Sequence, residues 1–134
     1  MDEKLPTMNE NQLFDLIKSV IPDLKSTDQY SYRDAYSPKY DLTIELKCRQ
    51  KHYDFLLIEK IKYDKLIKHN RVRYINSTPI GIFSFDLKKI QEPTWYEYVL
   101  PKETEFYNRN KIPKIVGMLT ISQAEDLSHL LRRI

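Results

Sequence analysis

The chain has 134 residues, of which 41% are hydrophobic and 31% charged, and it carries a formal net charge of +3. That is the size of one ordinary domain, with enough apolar residues for a core and a charged surface around it. Only two glycines are present and no GxGxxG or Walker-type loop occurs, which argues against nucleotide binding through a Gly-rich loop. The mildly basic balance is compatible with a polyanionic partner.

The single cysteine, Cys48, excludes an intramolecular disulfide and a Cys-rich zinc site. The three histidines are not spaced as metal ligands. No apolar run approaches the roughly 20 residues that are needed to cross a bilayer, and no signal peptide is recognisable. We therefore expect a soluble protein of the cytoplasm that has no membrane partner.

The first predicted element is an amphipathic helix. Residues 7–10 have the form of a capping box, with Thr7 as the N-cap and Glu10 at the third helical position. Apolar side chains then recur at helical spacing until Pro22, which ends the pattern.

A hairpin is predicted next. Residues 29–35 alternate between tyrosines and polar residues, as in a strand, and residues 36–39 have the composition of a turn. Residues 40–49 are the clearest strand of the chain, because apolar side chains on one face alternate with charged and polar ones on the other. Two such strands joined by a short turn should pair with each other.

The rest of the chain predicts further strands and helices. Residues 54–70 allow two interpretations: residues 55–58 could begin a strand, but the spacing of apolar residues among lysines and the length favour a helix. Later segments are predicted as strands at 72–77, 80–87 and 114–121, a long ordered loop at 91–112, and a C-terminal helix from a capping box at 122–125 to about Arg133. This order predicts a mixed α/β sandwich.

The strand at 40–49 carries the most informative pair of charges, Glu45 and Lys47. Charged residues on one face of a strand are most often only its solvated face. At a period of two, both side chains project from the same face about 6.5–7 Å apart. The carboxylate could hold Mg²⁺, which prefers oxygen ligands, and the ammonium could stabilise negative charge that develops on a phosphate. A metal site of this kind needs a second carboxylate.

Asp34 and Asp41 are the candidates for that second carboxylate. Asp41 shares the strand and the face of Glu45, but four residues separate their Cα atoms by about 13 Å, which one Mg²⁺ would hardly bridge. Asp34 would lie opposite Glu45, with Cβ atoms about 5 Å apart, if the turn centres on residues 39–40. A turn centred on residues 37–38 would set Asp34 opposite Asp41 instead. Geometry favours Asp34, although either aspartate could simply stabilise the turn.

This combination resembles the PD-(D/E)XK nuclease superfamily, in which a helix is followed by a hairpin bearing an aspartate and then (D/E)-x-K. A second helix and a further strand complete its αβββαβ core. Glu45-Leu46-Lys47 matches the second half of the motif, and Asp34, or less well Asp41, would be its aspartate. Neither aspartate directly follows a proline, so the first half departs from the pattern. The resemblance covers about residues 9–87 of a single domain and leaves 88–134 as an extension with a strand and a helix.

The resemblance implies a Mg²⁺-dependent DNA endonuclease, with Mn²⁺ as a substitute, that acts on branched or recombination intermediates in phage or mobile-element biology. Small members commonly act as homodimers. Asp34 and Glu45 would bind the metal, and Lys47 would assist catalysis. The superfamily often places an acidic residue of the first helix near the metal; Glu10 is the candidate, with Asp15 second, although the capping box explains Glu10 without catalysis.

Four residues are candidates for contact with nucleic acid: Arg49, Lys51, Lys62 and Tyr63. Arg49 shares the strand face of Lys47 and could hold a flanking phosphate, and Lys51 belongs to the same basic cluster. Members of the superfamily often use a Lys, Gln or Tyr of the second helix, which Lys62 or Tyr63 would supply. A solvated lysine beside a half-buried tyrosine would explain the same pattern.

Two other functions are open at this point. A catalytically inactive protein with the nuclease fold could serve as a DNA-binding or assembly subunit, which is expected if no second carboxylate lies near Glu45. A protein-binding module would instead use the aromatic segment 91–108 as its contact surface, and it would show no salt-dependent binding to DNA.

Overall fold

Two β-sheets and two α-helices make up the described part of the chain, so the fold is α/β. That part comprises residues 7–27, 34–98 and 114–133 of a computed structural model. In chain order the elements are α1 (Glu10–Lys18), β1 (Lys25–Ser26), β2 (Ala35–Ser37), β3 (Leu42–Cys48), β4 (Phe55–Glu59), α2 (Lys60–Leu66), β5 (Arg71–Thr78), β6 (Gly81–Asp86), β7 (Trp95–Tyr98), β8 (Lys114–Thr120) and β9 (Glu125–Asp126). Neither α-helix of this part is long and apolar enough to cross a membrane.

The larger sheet has six strands in the order β1-β2-β3-β5-β6-β9. Neighbouring strands are antiparallel except at the centre, where β3 and β5 run parallel from the pair Leu42–Arg71 to the pair Cys48–Ser77. Parallel neighbours require a crossover connection, which β4 and α2 supply here. The sheet is therefore mixed, as predicted, and the strand that bears Glu45 and Lys47 has a partner strand on each side.

Helix α1 packs on one face of this sheet. Its buried side chains, Leu13, Leu16 and Ile17, lie at the spacing of three and four residues that sequence analysis predicts. They share a core with residues from β2, β3, β5 and β6. Ile44 and Leu46 are the members of this core that come from β3. The side chains of β3 that alternate with them therefore project from the opposite face.

The helix begins differently from the prediction. Asn9, and not Thr7, is the N-cap: its side chain accepts a hydrogen bond from the Gln12 backbone N–H at 2.8 Å. The Gln12 side chain in turn accepts one from the Asn9 N–H at 2.9 Å. Glu10 is therefore the first helical residue, and the capping box does not use its carboxylate.

The smaller sheet has the order β4-β8-β7, and all its strands are antiparallel. With α2 it covers the other face of the larger sheet, so that the larger sheet lies between α1 and this second layer. The second core is formed by Leu56, Ile58, Tyr63, Leu66, Val72, Tyr74, Phe83, Phe85, Leu87 and Leu119. Residues beyond 87 thus contribute to both sheets, through β7, β8 and β9.

The predicted helix at 54–70 is only partly correct. Residues 55–59 form β4, in which Leu56 and Ile58 are buried while Phe55 and Glu59 are exposed, and only residues 60–66 are helical. Strand β4 pairs with β8, which lies almost 60 residues further along the chain. Pairing with this distant strand outweighs the helical spacing of the apolar residues, so residues 55–59 form a strand.

Other predicted boundaries also differ. The expected loop at 91–112 contains β7, and its remainder from 99 onwards lies outside the described residues. The expected C-terminal helix is replaced by β9 between two short 3-10 helices, because residues 125–126 pair with β6. Of the strand expected at 29–35, only residues 34–35 are described, and β2 continues into residues 36–37.

Candidate active site

The hairpin of β2 and β3 places Asp34 at Glu45. Ala35 pairs with Ile44, so the next pair along the register is Asp34 with Glu45. The Asp34 backbone N–H donates to the Ile44 carbonyl at 3.0 Å, and the Leu46 N–H donates to Asp34 Oδ2 at 2.7 Å. The predicted register is confirmed, and the backbone of the motif strand orients the aspartate carboxylate.

Asp41, the alternative motif aspartate, lies apart from Glu45 in the hairpin turn. Its φ of 48° is the left-handed conformation that aspartate tolerates in turns. Its carboxylate accepts hydrogen bonds from the Tyr36 hydroxyl at 2.8 Å and from the Asn70 side chain at 3.0 Å. Asp41 therefore stabilises the turn, and the expectation that it could be the catalytic aspartate is wrong for this register.

Glu45 is a buried carboxyl group, with 3% of its surface exposed. Its Oε2 lies 2.6 Å from Lys62 Nζ of α2. Burial, followed by a hydrogen bond with Asp34, raises the pKa of Glu45 to about 8, although Lys62 acts in the opposite direction. Within the described residues, Glu45 Oε2 accepts no hydrogen bond of good geometry. Its contact with Lys62 is therefore a close ion pair that leaves part of the oxygen's capacity to accept hydrogen bonds unused.

Glu10 reaches the same site from the first turn of α1. Its carboxyl group makes a hydrogen bond with Asp34. Burial and this contact raise the pKa of Glu10, while the charges of Lys62 and Lys47 lower it. Three carboxyl groups and two ammonium groups from α1, β3, α2 and the start of β2 therefore lie within electrostatic reach of one another. Asp15, the second candidate from the helix, is exposed and has no recorded contact with them.

Cations suit this cluster, because carboxyl groups in contact cannot all ionise without one. Within the described residues, no group of three or more aspartate, glutamate, histidine or cysteine side chains is placed to hold a metal ion. Mg²⁺ does not require one, since it keeps several waters and commonly binds one or two protein carboxylates. Asp34 and Glu45 supply two carboxyl groups of this kind, and Glu10 contacts Asp34 beside them.

Arg49, a predicted phosphate contact, is instead bonded inside the protein. Its Nε donates to Asn76 Oδ1 at 3.1 Å, and its Nη2 donates to the Leu57 carbonyl at 2.7 Å and to the Tyr74 hydroxyl at 3.1 Å. These bonds connect β3 and β5 of the larger sheet with β4 of the smaller one. The guanidinium therefore joins the two sheets, which corrects the expected role.

Arg49→Lys should lower the free energy of unfolding by roughly 1.5–3 kcal/mol, because an ammonium cannot reproduce the three-acceptor geometry of the guanidinium. Urea denaturation measures this change. The exposed Arg71 at the start of β5 is the matched control, and Arg71→Lys should change stability by less than about 0.5 kcal/mol. Equal stability of the two variants would show that the Arg49 bonds do not connect the sheets.

The other three candidates for contact with nucleic acid occupy different environments in the structure. Tyr63 is 4% exposed and packs edge-on against Trp95, with ring centroids 5.1 Å apart, so its expected contact with nucleic acid is wrong. Lys62 points to Glu45 and belongs to the candidate site itself. Lys51 is exposed in the segment that follows β3. Trp95 is half-buried and packs against the second core.

Sequence reasoning missed the buried polar surroundings of the site. Asn76 is fully buried and pairs in register with Lys47, and Tyr74 pairs with Glu45. Burial raises the pKa of Tyr74 to about 12, so its hydroxyl stays neutral. The signal was the polar run at 76–78 inside an otherwise apolar strand, because a central strand rarely buries polar side chains without partners.

Comparison with known proteins adds no identification: no protein-family model, curated protein or solved structure matches the chain significantly.

Proposed function

We propose that this protein is a Mg²⁺-dependent DNA endonuclease of the kind that its resemblance to PD-(D/E)XK nucleases implies. The observation that carries the proposal is the position of Asp34, whose carboxyl group contacts both Glu45 and Glu10. The hypothesis from the sequence requires a second carboxylate near Glu45. The chain order α1, β2, β3, β4, α2, β5 matches the αβββαβ order of elements, and β2, β3 and β5 share the larger sheet, whereas β4 pairs in the smaller sheet.

The proposed roles follow from position and charge. Asp34 and Glu45 would hold Mg²⁺, with Glu10 as the third acidic group. When bound, Mg²⁺ would supply Lewis-acid activation of a phosphodiester and of a water molecule. The Lys47 ammonium, on the same strand face as Glu45, would orient the attacking water and stabilise the charge that develops on the phosphate. Lys62 would keep Glu45 paired in the absence of metal.

One observation favours a second candidate, the inactive DNA-binding or assembly subunit. Lys62 Nζ lies 2.6 Å from Glu45 Oε2 and so places a positive charge where the metal ion would bind. If Lys62 always occupies this position, the protein would keep the nuclease fold but would not catalyse cleavage. Isothermal titration calorimetry with Mg²⁺ and Mn²⁺ separates the two candidates, because only the nuclease binds metal at the carboxyl cluster. A homodimer in the cytoplasm, that of a host cell if the gene is phage-borne, is proposed for either one by analogy.

The test of the proposed function compares the two aspartates that competed for the motif. Asp34→Asn should reduce cleavage of linear and branched DNA in Mg²⁺ by at least about a hundredfold, because it removes one of the two carboxylates that would hold the metal. Asp41→Asn is the matched control, and it should cleave within about threefold of the wild type because Asp41 lies in the turn. Cleavage by the wild type should stop in EDTA.

Three results would contradict the proposal. The wild type could fail to cleave any of these DNA structures in Mg²⁺ or Mn²⁺. Asp34→Asn could cleave as fast as the wild type. Alternatively, cleavage could persist after chelation of the metal. Circular dichroism of both variants establishes that each is folded, so that loss of activity is not mistaken for loss of structure.

A further inference from the structure

A groove of about 720 Å³ opens beyond the end of β3, next to the candidate active site. Residues from the end of β3, the following segment, β4 and β8 line it: Cys48, Arg49, Gln50, Lys51, Tyr53, Asp54, Phe55, Leu57 and Met118. It lies where the motif strand leaves the sheet, so the chain that carries Glu45 and Lys47 leads directly into it. The proposed metal-binding and catalytic roles do not use this groove.

Large apolar side chains are unusually exposed along it. Tyr53 is 49% exposed, Phe55 51% and Met118 44%. Phe55 and Met118 belong to the outer face of the smaller sheet, opposite to the face from which Leu56, Ile58 and Leu119 enter the second core. Soluble proteins seldom leave such side chains grouped in a concave surface without a ligand. Two of the three are aromatic rings, which offer flat faces to a planar ligand.

The charge of the groove suits an anionic chain. Lys51 is exposed and forms no ion pair with another described residue. The one acidic group of the lining, Asp54, lies 3.4 Å from His52 Nε2. The Arg49 guanidinium is fixed by its bonds to Asn76, Leu57 and Tyr74, so it forms a rigid positively charged wall.

The groove begins one residue beyond Lys47 along the chain. Cys48 follows Lys47 directly and lines the groove. The charges of Glu10 and Asp34 act on the Cys48 thiol, whose pKa is raised by burial first and then by these two carboxylates. The lining of the groove and Lys47 are therefore neighbours along the end of β3.

We propose that this groove binds unpaired nucleotides, with bases stacked on Tyr53 and Phe55 and a phosphate held by Lys51. The inference rests on the proposed function and narrows its substrate class to DNA that has a single-stranded segment beside the scissile phosphate. Aromatic faces accept every base, and a nearby lysine neutralises the backbone, which is how single strands are bound without sequence preference. Duplex bases stay stacked on each other and cannot use the rings.

Binding is measured in EDTA, where no cleavage occurs, by fluorescence anisotropy of a labelled oligothymidylate and of a duplex of the same length. The wild type should bind the single strand more tightly than the duplex at equal salt. Tyr53→Ala and Phe55→Ala should each weaken single-strand binding roughly fivefold to a hundredfold and change duplex binding less than twofold. Tyr53→Phe retains the stacking face and should bind like the wild type.

Tyr96→Ala is the matched control, because Tyr96 is 52% exposed on the smaller sheet but does not line the groove. It should leave both affinities unchanged. Single-strand affinity that survives both alanine substitutions, or falls equally in the Tyr96 variant, would overturn the groove assignment even if the protein cleaves DNA. If only the groove variants lose affinity for the single strand and the protein never cleaves DNA, the groove assignment stands and the proposed nuclease function is refuted.

Discussion

Glu45→Gln is expected to reduce Mg²⁺-dependent DNA cleavage at least about a thousandfold while the protein stays folded. The amide matches the carboxyl group in shape and can still contact Asp34 and Lys62. It cannot supply the negative charge that a hard cation requires from a buried ligand. The loss should therefore be chemical and not structural, and single-turnover cleavage with saturating enzyme would measure it without interference from DNA affinity.

The control for this variant is another glutamate to glutamine change nearby. Glu59 ends β4, is exposed, and pairs with Lys114 at 3.0 Å on the surface of the smaller sheet. Glu59→Gln removes the same charge from the same region and should leave cleavage within about twofold. If Glu45→Gln cleaves at a tenth of the wild-type rate or faster, Glu45 is not a metal ligand and the proposed function fails.

The hairpin could be predicted because its information is local. The alternation at 40–49 defines which side chains of β3 share a face, and the turn composition limits the register to two choices. One of those choices sets Asp34 beside Glu45, and the observed pair of Ala35 with Ile44 has that register. The predicted pair of Glu45 and Lys47 on one face of a central strand also follows from sequence alone, because a period of two is a property of any strand.

The positions of Glu10 and Lys62 could not be derived in this way. The sequence predicts Glu10 as the partner of Thr7 in a capping box, whereas the observed capping box uses Asn9 and Gln12, the next pair with the same spacing. Several N-cap registers are compatible with one sequence, and packing of the helix on the sheet selects among them. Lys62 meets Glu45 only because β4 precedes a short α2, and β4 depends on its distant partner β8.

The role of Arg49 shows why charge on a strand face is ambiguous. Sequence alternation correctly assigns it to the face of Glu45 and Lys47. A second layer, α2 with the smaller sheet, covers that face and converts an expected solvated cation into a partner for buried oxygens. The number of layers in a fold depends on contacts between segments far apart in the chain, which periodicity does not report.

The second large effect concerns stability, and it is expected to depend on pH. The pKa of Glu45 is about 8 in the folded protein, mainly through burial and then through Asp34, against a usual value of 4.5. Below about pH 4.5 the carboxyl group is protonated in both the folded and the unfolded state, so it gives the unfolding free energy no dependence on pH. Between the two pKa values the unfolded chain loses this proton and the folded protein keeps it, so stability falls as the pH rises. Above about pH 8 both states are ionised and the loss is complete.

Glu45→Gln removes this dependence, so the difference in unfolding free energy between the variant and the wild type isolates the contribution of Glu45. In EDTA the difference should be close to zero at pH 4 and should favour the variant at pH 9 by roughly 2–4 kcal/mol, below the ceiling of about 5 kcal/mol that the pKa shift implies. The raised pKa of Lys62 does not interfere, because that lysine stays charged in both states throughout this range. Urea denaturation at several pH values gives the curve, and a difference that is constant with pH would contradict the burial of an ionisable Glu45.

The same stability difference also bears on the metal. A carboxylate that destabilises the fold when ionised is stabilised by any cation that binds it only in the folded state. Added Mg²⁺ should therefore raise the stability of the wild type at pH 8 and leave Glu45→Gln unchanged, which would connect the cost of burying Glu45 to the use proposed for it. If Mg²⁺ stabilises neither protein while the pH dependence persists, the buried carboxyl group is a structural partner of Lys62, and the inactive-subunit alternative gains support.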